Sequence, residues 1–251
     1  MTDNRWIRRF VQAPGASARL VCLPHAGGSA SYYLPVAKAL APKVDVLAIQ
    51  YPGRQDRRDE PCLETCQEMA DGVFEALRPL TDKPLTIFGH SMGASVAFEL
   101  VRRLEDVGVR PTALFASGRR APSRVRDEQV SLRDDEGLIA EVKRLGGAGS
   151  HLLDDEDILA MVLPSIRADY RAAETYRWTP GPKLSTPVFA FIGDADPKVN
   201  QDEARAWAEH TTGEFQFRVF SGDHFYIDAN APAVIAAISE HIEANQAVRP
   251  V

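Results

Sequence analysis

Gly89-His90-Ser91-Met92-Gly93 places a hydroxyl between two glycines, directly after an apolar run (Leu85 to Phe88) and directly before a helical pattern. A serine nucleophile needs that context, because a tight strand-to-helix turn thrusts its side chain above the sheet edge. Glycines two residues to either side relieve the crowding, and the helix N-terminus beneath favours developing negative charge. A serine hydroxyl is a poor nucleophile near neutral pH and requires a base. Of the six histidines, His25 and His90 fall in turns near the serine, and His151 falls in a later helical segment. His210 and His241 lie late in helices, where a cation at the C-terminal end is the ordinary reading. His224 stands apart in Ser221-Gly222-Asp223-His224-Phe225, immediately after the last strand pattern, where a loop can return the ring to the strand ends.

The imidazole needs a carboxylate to orient it and to stabilise its cationic form. Asp194, Asp196 and Asp223 compete for this role. Asp223 adjoins the base in sequence, and neighbouring side chains seldom meet in the required geometry. Asp196, within Gly193-Asp194-Ala195-Asp196-Pro197, is the preferred acid, with Asp194 as the alternative. The segment after the preceding strand, Ala116-Ser117-Gly118-Arg119-Arg120, offers no carboxylate. The resulting order of serine, acid and histidine is that of the α/β-hydrolases. An acyl-transfer site also needs donors for the oxyanion. Pro24-His25-Ala26-Gly27-Gly28-Ser29 follows a strand and precedes a helix, so the backbone N–H groups of Ala26 and of Met92 are the expected pair. The glycine pair lacks the Lys-Ser/Thr ending of a phosphate loop and the glycine spacing of a dinucleotide site.

These residues require a sheet to present them. Short apolar runs at Arg19 to Leu23, Val44 to Ile49, Leu85 to Phe88, Ala113 to Ala116 and Val188 to Ile192 predict buried strands. Phe215 to Phe220 alternates and predicts a strand nearer an edge. Helical patterns cover Ser29 to Leu40, Glu64 to Leu77, Ser91 to Leu104, Gln201 to His210 and Ala231 to Ala244. The alternation predicts an α/β fold with a mostly parallel central sheet flanked by helices, in one domain over residues 1–251. From about Pro122 to Pro180 there is no strand pattern, only helical pieces, the last of them (Leu163 to Tyr176) broken off around Pro164. A helical insertion of this size between two strands is expected to act as a lid over the strand ends.

The 251 residues are 45% hydrophobic and 25% charged, values of an ordinary globular chain. A net charge of −6 argues against a dedicated nucleic-acid binder. Met1 to Phe10 is polar with three arginines, so no secretory signal is expected, and no apolar run approaches the ~18 residues of a membrane span. The three cysteines, Cys22, Cys62 and Cys66, are expected to be reduced thiols of a cytoplasmic protein, with Cys62 and Cys66 on one helix face. No metal cluster or coiled-coil stripe is apparent, so neither a metal nor a stable oligomer is expected.

Taken together, Trp6-Ile7-Arg8-Arg9, Leu23-Pro24-His25-Ala26-Gly27-Gly28, Tyr51-Pro52-Gly53-Arg54 and Phe88 to Gly93 resemble a type II thioesterase, a stand-alone editing enzyme of polyketide and nonribosomal peptide assembly lines. Arg167-Ala168-Asp169-Tyr170, Tyr176, Gly193-x-x-Asp196 and Gly222-Asp223-His224-Phe225 extend the resemblance over essentially the whole chain. The resemblance implies an α/β-hydrolase fold with Ser91, Asp196 and His224 as the triad and Ala26 and Met92 at the oxyanion hole. Type I thioesterase domains generally place the acid one strand earlier, where this chain has none. The implied substrate is an acyl group on the phosphopantetheine arm of an acyl or peptidyl carrier protein, with no cofactor of the enzyme's own.

Under such a lid, His25, Met92, Leu153, Val162 and Ile166 are expected to border the substrate. A basic cluster, Arg119, Arg120, Arg124, Arg126 and Arg133, is expected near the lid entrance, with Arg119 and Arg120 meeting the arm's phosphate or an acidic carrier helix. The elbow does not by itself distinguish sulfur from oxygen leaving groups, so a carboxylester hydrolase is the nearer alternative. A non-catalytic binding protein of the same fold would be expected to have lost a member of the triad.

Overall fold

The computed structural model describes residues 4–147 and 153–247. His151 lies outside the described residues. Among the described residues, seven strands form one sheet: β1 (Ile7–Arg8), β2 (Ala18–Leu23), β3 (Val44–Ile49), β4 (Leu85–His90), β5 (Ala113–Ser117), β6 (Val188–Gly193) and β7 (Phe215–Phe220). Their spatial order is β1-β3-β2-β4-β5-β6-β7. All pairings are parallel except the antiparallel edge pair, in which Ile7 faces Ile49. The strands β2 to β6 are buried along their whole length, as expected where helices cover both faces. Edge strand β7 alternates half-buried and exposed residues over its first four positions. The two-residue β1 was not anticipated, being too short to leave a periodic signal in a polar N-terminus.

Among the described residues, eight α-helices accompany the sheet: α1 (Leu34–Leu40), α2 (Cys66–Leu77), α3 (Met92–Asp106), α4 (Asp135–Leu145), α5 (Glu156–Thr175), α6 (Gln201–Arg205), α7 (Tyr226–Ala229) and α8 (Ala231–Ala247). On one face, α2 and α3 pack on the sheet through residues such as Met69, Val73, Val96 and Leu100. On the other face, Ala37 and Leu40 of α1 and Val234 and Ile238 of α8 pack against Leu20, Val46 and Phe115. Two expected helices begin or end as 3₁₀ turns, at Ala30–Tyr33 before α1 and Ala206–His210 after α6. Thr65 caps α2 by accepting from the Glu68 amide, which starts that helix at Cys66. Cys62 therefore lies outside the helix, and the expectation that both cysteines share one helical face is corrected.

The insertion between β5 and β6 carries α4, α5 and a 3₁₀ turn at Val130–Leu132. Its own small core joins Val130, Leu138, Leu145, Leu153, Ile166 and Tyr170, with Ala26 and Phe225 packed against them. The expected break near Pro164 does not occur, since α5 runs unbroken through it. Both Pro164 and Ala160 are exposed, so water can serve the carbonyl that the proline ring leaves without a donor. Among the described residues, no helix is long and apolar enough to cross a membrane.

Candidate active site

Ser91 sits in the one-residue turn between β4 and α3 with φ 54° and ψ −121°. That left-handed conformation is costly for a residue with a Cβ, and the surroundings enforce it. A Cβ on Gly89 would lie 2.2 Å from the Gly93 carbonyl oxygen, and one on Gly93 would lie 2.2 Å from that of Leu23. Both neighbours are backbone and cannot move aside, so the two glycines let the elbow close against the end of β2. The Ser91 amide donates to the Ser117 carbonyl at 2.8 Å, fixing the turn to β5.

The loop after β7 returns His224 to this turn. Its Nε2 lies 2.9 Å from Ser91 Oγ, and its Nδ1 lies 3.0 Å from each carboxylate oxygen of Asp196, in the loop after β6. The His224 and Asp196 side chains are almost wholly buried. With a proton on Nδ1 facing the carboxylate, Nε2 is free to accept the serine proton. Asp196 also accepts the Lys198 amide at 2.8 Å. Asp194, the alternative acid, is exposed and accepts the Gly222 amide, while Asp223 accepts that of Phe225. Both hold amides of the loop after β7, and among the described residues neither is hydrogen-bonded to the imidazole.

The two other nearby histidines are set up differently. His90 is completely buried, and its Nδ1 joins a chain through the Ser117 hydroxyl (2.9 Å) to the Tyr226 hydroxyl (2.6 Å). Burial, with His224 nearby, pulls its pKa well below the usual value. His25 packs edge-on against Tyr32 and Phe225, each at 4.8 Å between ring centres. Burial first, then His224 and Arg54, lower its pKa to about 3. Burial thus disfavours the cationic form of both rings, and His224, whose Nε2 faces Ser91 Oγ, is the candidate base. The Ser117–Tyr226 support escaped sequence reasoning, because no pattern ties a strand end to a residue 109 positions on.

Ala26 borders the same crevice as Ser91 and His224. Among the described residues, neither the Ala26 nor the Met92 amide donates to a protein acceptor. Free donors beside the nucleophile are what an oxyanion requires.

The sequence model of the thioesterase domain family matches residues 18–242. The chain belongs to the thioesterase family. It is 50% identical to thioesterase PikA5 of Streptomyces venezuelae over 239 residues, covering 94% of this chain and 85% of the relative. Among solved structures, the type II thioesterase BorB from the borrelidin biosynthetic cluster superposes with a TM-score of 0.88 at 50% identity, covering 97% of this chain and 98% of BorB. YbtT, a type II thioesterase from the yersiniabactin nonribosomal peptide/polyketide pathway, matches with a TM-score of 0.84 at 33% identity, over 94% of this chain and 97% of YbtT.

In this thioesterase a cavity of about 810 Å³ adjoins the crevice that holds Ser91. Leu153, Val162 and Ile166 of the insertion form one wall, and Leu20, Phe88 and Ile238 lie deeper, between the sheet and α8. A smaller crevice of about 40 Å³ holds Ser91 and His224 and shares His25, Ala26, Val142 and Phe225 with the large cavity. Met92 is corrected as a wall residue. Its position at the first turn of α3 turns the side chain into the core between sheet and helices, where it is fully buried, and leaves only its amide at the site.

The expected cationic rim is corrected at Arg120, and the other four arginines have partners within the chain. Arg120 is buried and ion-paired with Glu128 at 2.8 Å, so its guanidinium is not presented to a partner. Arg124 pairs with Glu209, Arg126 with Glu203 at 2.5 Å, and Arg133 approaches Glu141 at 4.0 Å. Arg119 is turned inward, donating to Ser95 Oγ at 2.9 Å and to the Ala173 carbonyl at 2.6 Å. Burial, reinforced by Arg120, brings its pKa down to about 10, and its side chain borders the crevice of Ser91. Among the described residues no cluster of three or more His, Cys, Asp or Glu could hold a metal ion.

Proposed function

We propose that this thioesterase removes acyl groups, stalled or wrongly primed, from the phosphopantetheine arm of acyl or peptidyl carrier proteins in polyketide or nonribosomal peptide biosynthesis. The observation that carries the reading is the unbroken relay from Asp196 through His224 to Ser91, beside an apolar cavity of about 810 Å³. A cavity of that size suits a drug-sized, mainly apolar group. The likeness to BorB and YbtT supplies the leaving group, a thiol rather than an alcohol.

In this reading His224 takes the Ser91 proton as the oxygen attacks the thioester carbonyl. Negative charge gathers on the carbonyl oxygen, where the Ala26 and Met92 amides donate to it. One such donor contributes about 3–4 kcal/mol to the transition state in comparable enzymes. As the tetrahedral species collapses, the carbon–sulfur bond breaks and the imidazolium returns its proton to the departing thiolate. Water, deprotonated by His224, then attacks the acyl-Ser91 ester through the same oxyanion geometry, releasing a carboxylic acid and restoring the serine. Asp196 keeps the imidazole oriented and stabilises its charge without itself taking the proton. The insertion acts as a lid that covers the acyl chain and excludes water from the crevice during acylation. Apart from the substrate and one water, each of these steps is served by groups of the chain itself.

Turnover should be compared on two substrates with one acyl group, a phosphopantetheinylated carrier protein carrying it and a small oxygen ester of it. A kcat/KM at least tenfold higher for the acyl-carrier supports the reading. Cleavage of the small ester with the acyl-carrier left intact would replace it with a carboxylester hydrolase.

A further inference from the structure

Opposite Ser91, the loop Ala26-Gly27-Gly28 is held by a buried ion pair drawn from two distant parts of the chain. Asp169 lies on the lid helix α5 with its side chain wholly buried, and Arg54 lies in the segment after β3 with its side chain 6% exposed. The contact is bidentate, Nη1 to Oδ2 at 2.6 Å and Nη2 to Oδ1 at 2.8 Å. Each partner spends a further hydrogen bond on the loop. Asp169 Oδ2 accepts the Gly27 amide at 2.7 Å, and Arg54 Nη1 donates to the Gly28 carbonyl at 3.1 Å. Arg54 Nε donates to the Pro52 carbonyl at 3.3 Å, so the guanidinium is itself fixed in place. Gly27 has φ 75°, and a Cβ there would meet Ile166 of α5 at 3.0 Å, so the loop lies directly against the lid helix.

Ala26 precedes the pinned amide by one residue. The Gly28 amide donates to the His25 carbonyl at 2.9 Å, and that carbonyl shares a peptide plane with the Ala26 N–H, so pinning Gly27 and Gly28 restrains the Ala26 amide beside the crevice of Ser91. An oxyanion donor acts only if it points at the developing charge before the reaction begins, so small misplacements carry large rate penalties. A buried ion pair is seldom favourable for stability compared with an apolar pair of the same volume. The geometry here therefore calls for a role beyond holding the fold.

We infer that Arg54 and Asp169 are positioning residues, a clamp that sets the oxyanion loop from the lid helix and the strand-end segment together. The inference rests on the reading of Ser91 and Ala26 given above, and it adds two residues that touch neither the substrate nor the triad.

The test uses the full chain, a short acyl-pantetheine thioester and an alkyl trifluoromethyl ketone, whose adduct with Ser91 places an oxyanion in the hole. Asp169→Asn keeps the shape but loses the charge and one acceptor. It is expected to lower kcat by ~10–100-fold, in line with the cost of a misplaced donor, with KM within threefold of wild type and ketone affinity falling in parallel with kcat/KM. The paired replacement Arg54→Met with Asp169→Leu supplies apolar bulk. It is expected to melt near the wild-type temperature yet remain slow, because Gly27 and Gly28 have lost their partners.

Wild-type kcat per folded molecule in either variant would overturn the clamp, as would loss of activity that tracks the melting temperature alone. Ser91→Ala keeps the two failures apart. Turnover retained in Ser91→Ala removes the serine reading itself. Turnover lost in Ser91→Ala but kept in Asp169→Asn removes only the clamp.

Discussion

At the strand ends, Ser91, Asp196 and His224 stand on turns whose backbone is dictated by the sheet beneath, and their mutual distances of 2.9 and 3.0 Å need nothing from the insertion. The insertion is built differently. Its helices α4 and α5 close on a small core of their own and reach the sheet side through contacts such as Ala26 and Phe225. The first region holds reacting groups in place. The second encloses space, and where it touches the machinery at Asp169 it does so through a buried ion pair to the oxyanion loop. On the function proposed above, chemistry falls to a floor set by the sheet and selection to a cover with its own core, so that substitutions in the two regions should differ in kind as well as in size.

The largest effects are expected at the floor. Asp196→Asn should lower kcat by about 10⁴-fold through loss of the correct imidazole tautomer and of charge stabilisation, whereas Asp194→Asn should stay within about fivefold of wild type, since Asp194 serves only the loop that carries His224. Steady-state kinetics on one acyl thioester measures both, and equal losses would merge the roles assigned to the two aspartates. In the cover, Val162→Trp should fill part of the cavity wall. The expected result is a fall in kcat/KM of about tenfold for a decanoyl thioester and little change for an acetyl one, since each buried methylene contributes ~0.8 kcal/mol. A uniform loss across chain lengths would mean that Val162 supports the floor rather than the chamber.

A smaller effect sharpens the comparison through pH. His25 and His90 stay neutral in the folded protein, with His25 near 3, while in the unfolded chain each titrates at the ordinary value. Their folded pKa values lie below the unfolded ones, so below about pH 6.5 the unfolded state binds more protons. Stability is then lost as the pH falls, by up to ~1.4 kcal/mol per pH unit for each ring. Denaturant melts from pH 7.5 to 5 should show this decline, and His25→Phe should make it shallower. An unchanged slope in that variant would mean that His25 takes up its proton in the fold as it does in the unfolded chain.

Much of the floor was legible because its constraints are local. A nucleophile elbow needs Gly89, Ser91 and Gly93 within five residues, and the strands beneath it are continuous apolar runs. His224 could be singled out by its place after the last strand, and Asp196 by the turn after β6, although only the folded loop separates it from Asp194. Distant pairing was not legible. The arginines after β5 read as a cationic rim because their partners, Glu203 and Glu209, lie 77 and 85 residues away from Arg126 and Arg124. Met92 was misread because one residue presents its amide to the site and its side chain to the core. Pro164 suggested a helix break because sequence alone does not reveal that the carbonyl it strands faces water. The Arg54–Asp169 pair spans 115 residues, and only the fold brings its halves together.

The central claim is that acyl transfer passes through Ser91 at the floor. It is tested most directly by rapid-quench mass spectrometry of the protein mixed with an acyl-carrier substrate, comparing wild type with Ser91→Ala. A transient acyl adduct is expected on the peptide containing Ser91, formed no more slowly than product appears. In Ser91→Ala no adduct is expected, and no released acid above the uncatalysed rate. Continued release by Ser91→Ala, or an adduct on another residue that forms and decays at the turnover rate, would contradict that claim.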